Sequence, residues 1–101
     1  MNDILAGSTR DLSFDPKTRE YVPSDKSNTW PVFTIKSLNF WEAQEVLDST
    51  KPAVDRIRRG LELGLTAIDG DADKAKQFVT RPKATMVNPL FDMIVEMASG
   101  N

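Results

Sequence analysis

A period of two in the apolar residues marks one short stretch of the chain. Phe33 and Ile35 would share one face of a β-strand there, with Val32 and Thr34 on the other, because successive side chains of a strand point to opposite faces. Pro31 has no amide proton to donate, so this strand is expected to begin at Pro31 or to lie at the edge of its sheet.

The spacing of apolar residues becomes helical directly after this strand. Asn39 is a favourable N-cap residue and Glu42 can reach back to it, which predicts a helix that begins with Phe40. Phe40, Ala43 and Leu47 would then lie on one face of that helix. We expect the core to form where this strand leads into the capped amphipathic helix.

The second predicted helix has the most regular apolar stripe in the chain. The stripe is formed by Val54, Ile57, Leu61 and Leu65. Thr50 is the expected cap, with Pro52 tolerated in the first turn. Gly64 is expected to end the helix as a glycine C-cap, with Leu65 packing back onto it.

Two further helices complete the predicted elements. A turn at Asp69-Gly70 and a cap at Asp71 predict a short helix that ends near Val79. Asn88-Pro89 combines an N-cap residue with a proline at the first helical position, so the last helix is expected to begin there and to run to about Ser99.

The N-terminal part of the chain is less patterned. Residues 1–28 are rich in Ser, Thr, Asp and Lys and are expected to form an arm, whereas residues 29–101 would form a strand and a helical domain. Within the arm, Ser13–Val22 is typical of a hairpin, with Asp15 and Pro16 in the first two positions of its turn.

These elements predict an α+β fold. A small antiparallel sheet would extend from Leu12 to Ile35 and would be followed by three or four helices. All period-two spacing precedes Lys36, so no strand is expected after Asn39.

The last predicted helix has an unusually wide apolar arc. Its members are Leu90, Phe91, Met93, Ile94, Val95, Met97 and Ala98. One interpretation is a central helix packed between the sheet and the other helices. The other is a partner-binding surface, for which Leu90, Met93 and Met97 are the candidates, with the flank of Met93 and Met97 accessible because methionine adapts to varied apolar surfaces.

Trp41 is the fourth candidate for partner binding. It projects away from the stripe of Phe40, Ala43 and Leu47, as an exposed anchor at an interface would. The alternative is that Trp41 covers the N-terminal hairpin.

Composition narrows the possible chemistry. The 101 residues include no cysteine and no histidine, which removes thiolate nucleophiles, the imidazole base and the usual zinc ligands. No catalytic residue, cofactor site or metal site is predicted, and Asp69–Asp73 lacks the ligand order of a calcium loop. No apolar run is long enough for a membrane span and the first ten residues do not resemble a signal peptide, so we expect a cytoplasmic protein without membrane contact.

The charges do not predict nucleic-acid binding. The net charge is −2, although basic residues concentrate in Lys51–Arg59. Arg56 and Arg59 would lie opposite the apolar stripe, and Asp55 precedes Arg59 by four residues, as in an ordinary helical ion pair.

The order of these features resembles a protein family. Phe33-Thr34-Ile35-Lys36-Ser37-Leu38 leads into a helix, Leu61-Glu62-Leu63-Gly64-Leu65 ends another, and an Asp69-Gly70 turn precedes a final helix that ends near Asn101. In this respect the chain is similar to the tail assembly chaperones of long-tailed bacteriophages, from Val32 onward.

The resemblance implies a protein that is not an enzyme. Such chaperones bind the long tape measure protein, keep it soluble in the cytoplasm of the bacterial host while the tail assembles, and often self-associate. The alternative function is a small structural or interaction module of the phage particle, either a tail component or a head-completion component.

Overall fold

A computed structural model of the chain describes residues 8–25 and 29–98. Four strands and four helices occur in these ranges, and the predicted α+β class is confirmed. The elements in chain order are β1 (Thr9–Asp15), β2 (Glu20–Pro23), β3 (Phe33–Lys36), α1 (Phe40–Val46), α2 (Ala53–Gly64), β4 (Leu65–Ile68), α3 (Ala72–Thr80) and α4 (Ala84–Ala98).

The predicted hairpin is confirmed and belongs to the main sheet. β1 and β2 pair antiparallel, and Asp15 holds the turn by accepting hydrogen bonds from the amides of Lys17, at 2.9 Å, and Arg19, at 2.8 Å. β1 also pairs antiparallel with β3, so this part of the predicted arm is an integral part of the sheet. Residues 1–7 and 26–28, which the same prediction covered, lie outside the described residues.

β3 lies inside the sheet, whose strand order is β2-β1-β3-β4. The expectation that this strand begins at Pro31 or lies at an edge was therefore wrong. The strand begins at Phe33, beyond the proline, so the missing amide proton interrupts no hydrogen bond of the ladder. Next to it, the backbone amides of Val32 and Asp69 each donate a hydrogen bond across to the other residue, at 2.9 and 2.7 Å.

β4 corrects the expectation that no strand follows Asn39. It pairs with β3, but the register shifts between Thr34 and Ile35 because β4 contributes one extra residue, a β-bulge. Leu65 and Ile68 are therefore both buried although they are three residues apart. That spacing continues the helical stripe of α2, which is why a period of two did not reveal the strand.

The core lies between the helices and one face of the sheet. Four aromatic rings cross it in edge-to-face contacts, with centroids 5.2 to 5.4 Å apart, in the order Phe14, Tyr21, Phe33 and Phe78. The Tyr21 hydroxyl donates a hydrogen bond to the carbonyl of Met86 at 3.2 Å, which joins β2 to α4. Burial raises the pKa of Tyr21.

α1 begins as predicted but buries a different face. Asn39 accepts from the amide of Glu42 and Glu42 accepts from the amide of Asn39, at 2.8 and 3.0 Å, which is a complete capping box. Val46 is fully buried, whereas Phe40 and Leu47 are exposed. Of the predicted stripe, Ala43 packs against the core as expected, whereas Phe40 and Leu47 do not, because the helix ends after seven residues and packs through Val46.

α2 differs from prediction at both ends. Thr50 bonds to Asp48, and α2 begins after Pro52 without a side-chain cap. Gly64 is the last residue of the helix rather than a left-handed C-cap. A Cβ atom added at this position would lie 2.6 Å from Cγ2 of Ile94. This glycine lets α2 lie directly against α4.

α3 is capped by Asp71 as predicted, and it ends at Thr80, one residue beyond Val79.

α4 begins at Ala84, so the predicted start at Asn88-Pro89 was wrong and the proline lies inside the helix. An internal proline removes one helical hydrogen bond. The additional turn packs Met86 and Val87 against the core, which offsets that loss.

Candidate functional site

Two of the predicted partner-binding residues of α4 belong to the core. Leu90 is fully buried and Met97 is 7% exposed, while Met93 is partly buried and packs against the core. The expectation that the flank of Met93 and Met97 is accessible was therefore wrong for Met97. α4 contacts α2, α1 and the sheet, so its wide apolar arc serves the packing of a central helix.

Trp41 is exposed, as the interface interpretation predicted. It is 77% exposed and its neighbour Phe40 is 65% exposed, so Trp41 does not cover the hairpin. The two rings contact each other edge-to-face, with centroids 5.1 Å apart. We call Phe40 and Trp41 the aromatic pair. Because the cap at Asn39 fixes where α1 begins and Val46 is turned inward, the pair is held out toward solvent.

A concave apolar surface lies elsewhere on the molecule. A cavity of about 430 Å³ opens between α2, the end of α3 and the first turns of α4, and we call it the α2–α4 groove. Its apolar lining includes Val54, Ile57, Leu61, Val79, Pro82 and Val87. Its volume lies in the range of roughly 300–1,000 Å³ that is usual for ligand pockets. A neighbouring cavity of about 400 Å³ between α2, β4 and α3 shares Val79 and Thr80 with the groove.

The sequence did not predict this groove. Val54, Ile57 and Leu61 were assigned to a core-facing stripe, but Val54 is 68% exposed and only Leu61 of the three is fully buried. The stripe is continuous along α2, whereas the sheet and α4 cover only its C-terminal part. No sequence pattern indicates how far a neighbouring element extends along a helix.

The charges differ between the two surfaces. α1 and the following turn carry Glu42, Glu45 and Asp48, and Lys51 lies at the end of the same turn. Glu42 pairs with Lys36 at 3.4 Å, and Glu45 pairs with Arg59 of α2 at 3.0 Å.

Asp48 accepts hydrogen bonds from the side chain and the amide of Thr50, which lowers the pKa of Asp48 and keeps it ionised. The groove has no acidic residue in its lining and has Arg58 at its rim. The sequence had suggested an ion pair between Arg59 and Asp55 within α2. Arg59 instead pairs with Glu45 of α1.

Within residues 8–25 and 29–98, no group of three or more acidic side chains is placed to hold a metal ion. In the same part of the chain, no helix combines the length and the apolar character needed to cross a bilayer. The aromatic pair and the two cavities described above are the candidate contact surfaces among the described residues, and the α2–α4 groove is the larger of the two cavities.

Comparisons with protein-family models, with curated proteins and with solved structures found no match for this chain.

Proposed function

We propose that this protein is a tail assembly chaperone of a long-tailed bacteriophage, which binds apolar helical segments of the tape measure protein and keeps them soluble. The proposal starts from the resemblance of the strand, helix and turn segments between Val32 and the C-terminus. It includes action in the cytoplasm of the bacterial host and no catalytic step.

The observation that carries the proposal is the exposure of the aromatic pair. Two adjacent large aromatic side chains are more than half exposed on a short helix whose start is fixed by a capping box. Two aromatic side chains that stay in water contribute no burial free energy to folding. Trp is also enriched at the hot spots of protein interfaces. A role in binding apolar segments would explain why the two side chains are exposed.

The contact between Phe40 and Trp41 would lower the cost of binding. Because the two rings already touch, part of their side-chain freedom is lost before a partner binds. Truncating a hot-spot tryptophan typically costs at least about 2 kcal/mol, or roughly 30-fold in Kd.

Co-expression with a candidate tape measure protein tests the proposal. The tape measure protein is expected to be insoluble alone and soluble together with this chain, and the two should purify as a complex. A tape measure protein that stays insoluble at equal expression of both chains would refute the proposed function.

The alternative function is a structural or interaction module of the phage particle. The same exposed aromatic pair would suit a permanent contact with a neighbouring tail or head component. Mass spectrometry of purified virions separates the two functions. A chaperone should be missing from the particle, whereas a structural component should be present in stoichiometric amount.

A further inference from the structure

We propose that the α2–α4 groove binds an amphipathic helix of another protein, one that carries acidic side chains beside its apolar face. The groove is concave and apolar, and its volume of about 430 Å³ is usual for a binding site. Laying the apolar face of a helix into such a groove is a recurrent mode of protein recognition. The partner is thus defined by its helical shape, its apolar face and its charge.

The length of the groove matches two turns of a helix. Val54, Ile57 and Leu61 line it along α2 at intervals of three and four residues. Since a helix rises 1.5 Å per residue, this row extends over about 10 Å. Apolar residues at positions i, i+3 or i+4, and i+7 of a partner helix cover the same length, so the two rows can pack side by side.

Part of the apolar lining is left uncovered by this chain. Leu61 is buried, but Val54 is 68% exposed. Ile57, Val79 and Val87 are partly exposed. A partner helix that covers these side chains removes apolar surface from water, and this burial favours binding.

The charges at the groove select an acidic partner. Arg58 belongs to its lining, and the exposed Arg81 and Lys83 flank Pro82, which also lines it. None of these three cations forms an ion pair with another described residue. Carboxylates beside the apolar face of a partner are therefore attracted to the border of the groove.

The acidic residues of α2 do not cancel this charge within the groove. Asp55 and Glu62 line the neighbouring cavities, and neither forms an ion pair with Arg58. Among the described residues, the groove itself is lined by no acidic side chain. A further cavity, lined in part by Lys76 and Arg81, shares Thr80 with the groove. The positive charge thus continues along the end of α3.

The form of the groove distinguishes a helix from other anionic partners. A bilayer presents a flat surface, whereas the apolar side chains of the groove are recessed between helices. The phosphates of nucleic acid are bound by cations and need no apolar lining. A helix with an acidic border fits both the apolar lining and the cations beside it.

Two synthetic peptides test the inference. Each is about 15 residues long and carries the same stripe of leucines, flanked by glutamate in the acidic peptide and by lysine in the basic peptide. Fluorescence anisotropy of the labelled peptides gives the Kd. The parent chain should bind the acidic peptide at least about tenfold more tightly than the basic one, and the difference should shrink as the salt concentration rises.

Reversing the charges of the groove provides the matched variant. In the charge variant, Arg58→Glu/Arg81→Glu/Lys83→Glu, the apolar lining stays intact. All three positions are exposed, so the circular dichroism should equal that of the parent. This variant should prefer the basic peptide. The control is Phe40→Ser/Trp41→Ser, which lies outside the groove and should bind the acidic peptide with the Kd of the parent.

Amide chemical shifts of the parent chain locate the contact without any substitution. The acidic peptide should move the signals of residues 54–61 and 84–88 most. The inference is overturned if the parent binds neither peptide, if it binds both equally, or if the shifts are confined to Phe40 and Trp41.

Other occupants of the groove have their own signatures. Binding of phosphatidylglycerol vesicles or of duplex DNA, without binding of the acidic peptide, would assign the groove to those partners instead. Shifts of the groove signals that depend on protein concentration, in the absence of peptide, would assign it to a second copy. Either result would overturn the inference.

The inference does not rest on the proposed function. The peptides contain no segment of the tape measure protein, so failure of the peptide experiment would leave the solubility test unaffected. Failure of the solubility test would likewise leave the binding of acidic helices intact.

Discussion

Gly64 allows α2 to lie directly against α4, and replacing it by alanine should destabilise the protein. The added Cβ would lie 2.6, 2.8 and 3.0 Å from Cγ2, Cδ1 and Cγ1 of Ile94. Ile94 is fully buried and branched at Cβ, so in a helix it strongly prefers one χ1 rotamer and cannot easily turn away from the new Cβ. The two helices would have to move apart.

The size of the effect follows from two opposing contributions. Overpacking a core typically costs about 1–3 kcal/mol, and alanine in place of glycine favours a helix by up to about 1 kcal/mol. We therefore expect Gly64→Ala to lower the free energy of unfolding by about 1–2 kcal/mol. For a domain of this size each kcal/mol lowers Tm by about 4–8 °C.

Urea unfolding followed by circular dichroism measures the change, and Ile94→Ala provides the matched background. Ile94→Ala alone should cost about 2–5 kcal/mol, and it removes all three atoms that the new Cβ would meet. In that background Gly64→Ala should be neutral or stabilising. The same destabilisation in both backgrounds, or a stabilised Gly64→Ala in the parent, would refute the close contact of the helices.

Three further predictions concern single side chains. Tyr21 is the only tyrosine, and because burial raises its pKa above the ordinary value near 10, its contribution to stability is complete below about pH 10 and is lost as the pH rises further. Phenolate absorbance should therefore appear only as the circular dichroism of the fold is lost, and ordinary titration in the folded protein would contradict the burial. Asn39→Ala removes the capping box with Glu42 and should cost about 1 kcal/mol in urea unfolding; an unchanged midpoint would mean that the box does not form in solution. Met97→Glu forces a carboxylate into the core and should unfold the protein as seen by circular dichroism, whereas a folded variant would return Met97 to the surface.

Local signals predicted much of the fold correctly. The hairpin turn at Asp15 and the caps at Asn39 and Asp71 each depend on hydrogen bonds between residues close in sequence. Because such bonds involve only a few neighbouring residues, their spacing in the sequence identified these three features, although the same kind of signal failed at Thr50 and at Asn88-Pro89.

Two other wrong predictions have a different cause, which is contact between residues distant in sequence. β4 was missed because a bulge against β3 gives Leu65 and Ile68 a helical spacing. The sequence left a central helix and a partner-binding surface as alternatives for the arc of α4, because no pattern shows that α2 and the sheet together cover Met97.

One of the two candidate surfaces could be predicted from local sequence and the other could not. Trp41 was predicted to be exposed because it projects away from the apolar stripe, whereas the groove beside Val54 depends on where α3 ends and α4 begins against α2.

Soluble expression of the tape measure protein with variants of this chain tests the proposed function most directly. The parent and the control variant, Asp92→Ser/Glu96→Ser, should keep the tape measure protein soluble. The pair variant, Phe40→Ser/Trp41→Ser, should be folded and expressed equally but leave it in the insoluble fraction. The variant Val54→Glu/Arg58→Glu, which changes the groove and retains the aromatic pair, should still keep it soluble. A pair variant that solubilises the tape measure protein as well as the parent does would contradict the assignment of client binding to Phe40 and Trp41.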